Sequence, residues 1–288
     1  MSYSLLDRFR GAWLGAVIGQ QLCDDRDSPL FADGRSPFKW STKEIVSIIQ
    51  EPKSVAFPDL YDFQGNYRAS TIALWLLPVI LYHHDDWFGL SNFLRRRKEP
   101  QFLEEIDNVL VWCYTIRLAL RGELFSSSLI ERVALGTQGS QKASIEWLKK
   151  VEMFGLKGFD STQLLAQLWS MKNREIPLAL FCFSNNPQDF WLTTTQALSL
   201  EGHAANVTAL SATLSGAYNG ITSIPVNWRI SSQRDRFYEE LMITTEEMID
   251  EWVGSDSRDS NTVPSVITAP KVLQSRSGLT AISQREYI

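Results

Sequence analysis

Glycine recurs at every fourth position of the segment RFRGAWLGAVIG, as Gly11, Gly15 and Gly19. At 3.6 residues per turn, that spacing puts all three on one face of a helix. A glycine inside a helix costs about 1 kcal/mol relative to alanine. A stripe of three is therefore expected to serve a close approach by another backbone. The apolar residues between them, Trp13, Leu14, Val17 and Ile18, favour a helix over 4–22 rather than a loop with scattered glycines. A second stripe, Ala205, Ala209, Ala212, Gly216 and Gly220, predicts another small-residue helix over 204–220. Few stretches alternate as strands do. The expected fold class is all-α, with close helix contacts at both stripes.

The intervening chain supports this. Helical periodicity covers about 41–50, 68–82, 86–97, 102–121, 126–134, 141–150, 161–170, 175–183, 188–200 and 231–252, while 24–40 and the neighbourhood of Pro52 and Pro58 read as loop. The segment 106–122 is apolar almost all round, which suits the central helix of a bundle. Residues 254–288 change character. Serine and threonine are frequent, Pro264 and Pro270 interrupt, and no amphipathic period persists. The expected organisation is one helical domain over 1–253 and an extended or disordered tail over 254–288. Val266, Ile267, Val272, Leu273, Leu279 and Ile282 give that tail the makings of a docking segment.

Composition excludes several function classes. The net charge of -5 argues against nucleic acid as the main partner, because phosphate binding needs a basic surface. The one dense basic run, Arg95 to Lys98, reads as a solvated helix end. Three cysteines, Cys23, Cys113 and Cys182, have neither metal-ligand spacing nor a count that suits a disulfide framework. Cys113 and Cys182 are expected to be buried hydrophobes, and the compartment a reducing, cytoplasmic one. Charges at Asp7, Arg8 and Arg10 break any secretory pattern, and the apolar run 71–82 is too short to span a bilayer.

Of the polar clusters, Asp24, Asp25 and Asp27 read as a solvated loop. His83, His84, Asp85 and Asp86 read as a polar helix end, because adjacent histidines point to different faces of a helix. There is no G-x-S-x-G elbow and no phosphate-binding loop.

The segment ALSLEGHAANVTALSATLSGAYNGITSIPVNW, 197–228, resembles the C-terminal signature of the ADP-ribosylglycohydrolase family, A-x-x-x-G-G-D-x-D-T-x-A-A-x-x-G-A-x-x-G-A-x-x-G-x-x-x-I-P-x-x-W. Gly202, Ala209, Gly216, Ala217, Gly220, Ile224, Pro225 and Trp228 match. The opening 8–19 is similar to the family's R-x-R-G-A-L-L-G start, and 176–198 to the run that precedes the signature. The resemblance spans about residues 4–230 and implies a compact orthogonal helical bundle. It also implies two magnesium ions held by carboxylates, which position a ribose and a water for hydrolysis of an ADP-ribosyl bond.

Those carboxylates are missing. The two aspartates and the threonine of the signature fall on His203, Ala205 and Asn206, and the aspartate after the first helix falls on Gln20. The family's upstream S/T-D-D-T motif is absent, and its nearest register lies around Asn66, Tyr67 and Arg68. The vestigial cleft is therefore expected to be lined by Gln20, Asn66, Gly202, His203 and Asn206, with no metal cofactor. Cys23 lies near the same region.

Three functions are compatible with this pattern. The first is a catalytically silent family member, binding an ADP-ribose or nucleotide-like ligand or holding a protein partner through 254–288. The second is a hydrolase of N- or O-glycosidic bonds with a rebuilt site, drawing on Asp62, Glu201 or His203 for acid–base work. The third is a structural subunit of a complex, to which ten tryptophans would be suited.

Overall fold

A computed structural model describes residues 3–23, 68–96, 105–124, 129–137, 146–147, 149–151, 174–200, 204–233 and 236–253. Among these residues all regular structure is helical. Eleven α-helices are complete enough to bound: α1 (Leu5–Gln21), α2 (Ala69–Trp75), α3 (Leu77–Tyr82), α4 (Trp87–Arg95), α5 (Ile106–Leu120), α6 (Leu129–Gly136), α7 (Glu175–Asn185), α8 (Phe190–Leu198), α9 (Ala204–Asn219), α10 (Val226–Gln233) and α11 (Arg236–Val253). A 3-10 turn, Ile221–Ser223, joins α9 to α10. No described helix is long and apolar enough to cross a membrane. The helices expected over 41–50 and 161–170, and the whole of 254–288, lie outside the described residues.

Two expected boundaries change. The segment 68–82 is two helices, broken at Leu76, because Pro78 has no N–H to give the carbonyl of Leu74. Pro225 starts a helix rather than merely ending one: its carbonyl accepts from the N–H groups of Trp228 and Arg229 at the head of α10.

The two small-residue stripes pack against each other. A Cβ built on Gly19 would sit 2.6 Å from the Cα of Ala209, and one on Gly11 would sit 2.7 Å from the carbonyl carbon of Gly220. Gly15 faces the carbonyl of Ala212 between them. As numbers rise along α1 they fall along α9, so the two helices are antiparallel. Their backbones are in direct contact. One more step along this register brings the end of α1, Gln20 to Cys23, beside the start of α9, Ala204 to Asn206.

Around this seam lies the core. α5 is buried on nearly every side, with Val109, Leu110, Trp112, Cys113 and Ile116 fully enclosed, and touches α1, α2, α3, α4, α6 and α9. Arg8 closes the end of α5. Its guanidinium donates to the carbonyls of Ala119 and Leu120 at the helix C-terminus, the former also accepting from the N–H of Gly122. Gly122, at φ +68, provides the left-handed turn that lets the chain leave beside it.

His84 corrects the reading of the HHDD cluster as a polar helix end. Asp86 fits it, being an exposed N-cap that accepts from the N–H of Gly89 at 2.8 Å. His84 is instead a core residue, 1% exposed, with its ring against Phe9 of α1 and Trp252 of α11. The sequence conceals this because Phe9 and Trp252 lie far from residue 84 along the chain. The basic run behaves as expected where it is described: Arg95 and Arg96 are exposed at the end of α4, with Arg95 3.7 Å from Asp107.

Candidate functional site

The starts of α2, α7 and α9 are joined by side-chain contacts, and the end of α1 lies beside the start of α9. The α1–α9 register delivers the end of α1 and the start of α9. The first turn of α2 is tied to α9 by Asn206, whose Nδ2 donates to Ser70 Oγ at 3.0 Å and lies 3.5 Å from Thr71 Oγ1. The start of α7 is tied to α2 by an ion pair, Arg68 Nη1 to Glu175 Oε1 at 3.0 Å. Glu175 is 2% exposed, whereas the side chain of Arg68 is 41% exposed, so the cation forms the outer half of the pair. An acid in the first turn of α7 also suits the helix dipole.

Of the five cleft residues expected from sequence, Gln20 and Asn206 are described, and both lie at this end. Gln20 is buried, and Asn206 is half-buried. Asn66, Gly202 and His203 lie outside the described residues, as do Asp24, Asp25, Asp27, Asp62 and Glu201. Cys23 is buried at the same end.

Sequence reasoning missed Arg68 as one of a pair, together with Ser70, Thr71 and Glu175. Ser70 and Thr71 follow closely on the register around Asn66 to Arg68. Glu175 had no local signal beyond a charge before an apolar helix, because its partner is 107 residues away.

Among the described groups named at this end, Arg68 is matched to Glu175, and Gln20, Ser70, Thr71 and Asn206 contribute hydroxyls and amides. The two thiols deeper in the core are inert. Burial pushes Cys113 far above the usual thiol range and Cys182 up to about 12. Neither is a nucleophile. Among the described residues, no three His, Cys, Asp or Glu side chains are grouped to hold a metal ion.

Residues 104–257, more than half of the chain, match the ADP-ribosylglycohydrolase family. The chain belongs to that family. No individual curated protein matches it. The matched region contains α5 to α11, and with them Glu175, Asn206 and the α9 stripe. Gln20, Arg68, Ser70 and Thr71 lie N-terminal to the matched region.

Proposed function

We propose that this protein is a catalytically silent member of the ADP-ribosylglycohydrolase family, used as a binding or regulatory module. The observation that carries the reading is the pair of contacts across the site, Asn206 to Ser70 and Arg68 to Glu175. Asn206 stands at the threonine of the family's second motif. Its partners suggest that Arg68, Ala69, Ser70 and Thr71 stand where the S/T-D-D-T tetrad would be, with only the threonine kept. On that register two carboxylates become a methyl and a hydroxyl, and a guanidinium enters at the tetrad's first position.

These groups do not fit magnesium. Mg²⁺ is a hard ion that dehydrates reluctantly and is held through carboxylates in octahedral geometry. Neutral hydroxyl and amide oxygens give it little in return for lost water, and the one carboxylate among these groups, Glu175, is already paired with Arg68. The hydroxyl and amide groups suit a different task, the recognition of ligand hydroxyls and phosphate oxygens by hydrogen bonds without a metal. A protein partner reached through 254–288, and a reducing cytoplasmic setting, belong to the same reading.

Turnover of an ADP-ribosylated protein by the purified chain, with magnesium and separately with EDTA, tests this. The expected result is no release above the uncatalysed rate in either condition. Magnesium-dependent release would overturn the proposal. Release that survives EDTA and is lost in His203→Ala would support the rebuilt hydrolase instead.

A further inference from the structure

We propose that His84 is a latch: it pins the last turns of α11 against the body of the fold and lets go when its ring takes up a proton. The geometry is specific. His84 follows the end of α3 and is held by its Nδ1–H, which donates to the carbonyl of Leu81 at 2.8 Å. That bond fixes the neutral tautomer and leaves Nε2 as the only ring nitrogen with a free lone pair. The ring lies between Phe9, edge-on at 5.3 Å between centroids, and Trp252, tilted at 5.1 Å. Nε2 is buried without a hydrogen-bond partner, and so is Nε1 of Trp252. One turn or more before Trp252, Glu246 pairs with Arg10, so the same seam is closed by a salt bridge on its exposed side.

A proton arriving from solvent goes to Nε2. It creates a buried cation whose new N–H has no acceptor, at a seat walled by two aromatic rings. The charged groups that face it are Asp85 on its own turn, which favours the cation, and Arg117 and Arg121 of α5, which oppose it. α1 and α11 present Phe9 and Trp252, both uncharged. Burial is the largest influence, and it lowers the pKa of the seated ring to about 4. An opened ring returns to the ordinary value near 6.5.

The sign follows from the proton count. Between the two pKa values the opened state holds a proton that the closed state does not, so opening becomes more favourable as pH falls from about 6.5 towards 4. α11 leads directly into residues 254–288, so the latch sets whether the base of that segment is fastened to the domain.

Native-state hydrogen exchange at pH 7.5 and 4.5, corrected for intrinsic rates, tests the latch. The amides of 246–253 are expected to lose roughly 50- to 100-fold in protection at the lower pH, from levels already below those of α1 and α9. His84→Asn keeps a donor at the Nδ1 position for Leu81 without titrating in this range and is expected to remove the pH response, as is His84→Phe. Equal protection of α11, α1 and α9 at each pH would mean that His84 reports only global unfolding, which would overturn the proposal. An unchanged pH response in both variants would do the same.

Discussion

Gly15→Val is expected to cost at least about 3 kcal/mol, enough to leave much of the protein unfolded, because typical domains are stable by only about 5–15 kcal/mol. A Cβ at Gly15 would lie 3.3 Å from the N–H nitrogen of Thr213 and closer still to the carbonyl of Ala212. Both are backbone atoms of a buried helix, so no side chain can swing away. α1 and α9 would have to separate along their whole seam, which carries Gly11, Gly19, Ala209 and Gly216 as well. Gly15→Ala is the sharper test of sign. On an open helix face, alanine in place of glycine gains about 1 kcal/mol. Here it is expected to lower the thermal midpoint, and a raised midpoint would show that the seam is looser than described.

Arg8→Met is expected to cost about 1–3 kcal/mol, read from urea unfolding. Methionine keeps much of the apolar stem but removes the donors to the carbonyls of Ala119 and Leu120. Leaving a buried carbonyl unpaired costs about 1–3 kcal/mol; the carbonyl of Leu120 is exposed to that loss, while that of Ala119 keeps the N–H of Gly122 at 3.1 Å. Arg8 is itself buried, and desolvation lowers its pKa from the usual guanidinium value. That direction registers the cost of burying the cation rather than a loss of its charge, since arginine stays protonated in proteins. Arg8→Lys is expected to recover only part of the loss, because one ammonium does not reproduce the planar fork. Full stability in Arg8→Met would show that the end of α5 needs no cap from α1.

What the sequence revealed divides along the same physical line. Gly11, Gly15 and Gly19 announce a close contact because glycine inside a helix is costly enough to need a reason. Ala209, Ala212 and Gly216 announce the other half. Neither stripe names its partner, which requires the register that only the folded chain supplies. The apolar surround of 106–122 likewise announces a buried helix, and α5 is one.

Polar positions were harder. His84 sits among charged neighbours in sequence and among aromatic rings in space. Glu175 and Arg68 form a pair that no local pattern contains. In the sequence, the departures from the family's signature are legible at 203, 205 and 206, while Ser70 and Thr71 emerged only through their contact with Asn206. Absence of a motif can be read along a chain, but what replaces it is decided by whatever the fold brings across.

In the proposed function, hydrogen bonds and an internal ion pair take the place of a dimagnesium centre. Titration of the purified full-length protein with Mg²⁺ by calorimetry, alone and with ADP-ribose present, tests it most directly. The account predicts no saturable magnesium binding in the micromolar-to-millimolar range, and ADP-ribose affinity, if measurable, that is unchanged by EDTA. Saturable binding of two magnesium ions that strengthens the binding of ADP-ribose would contradict it.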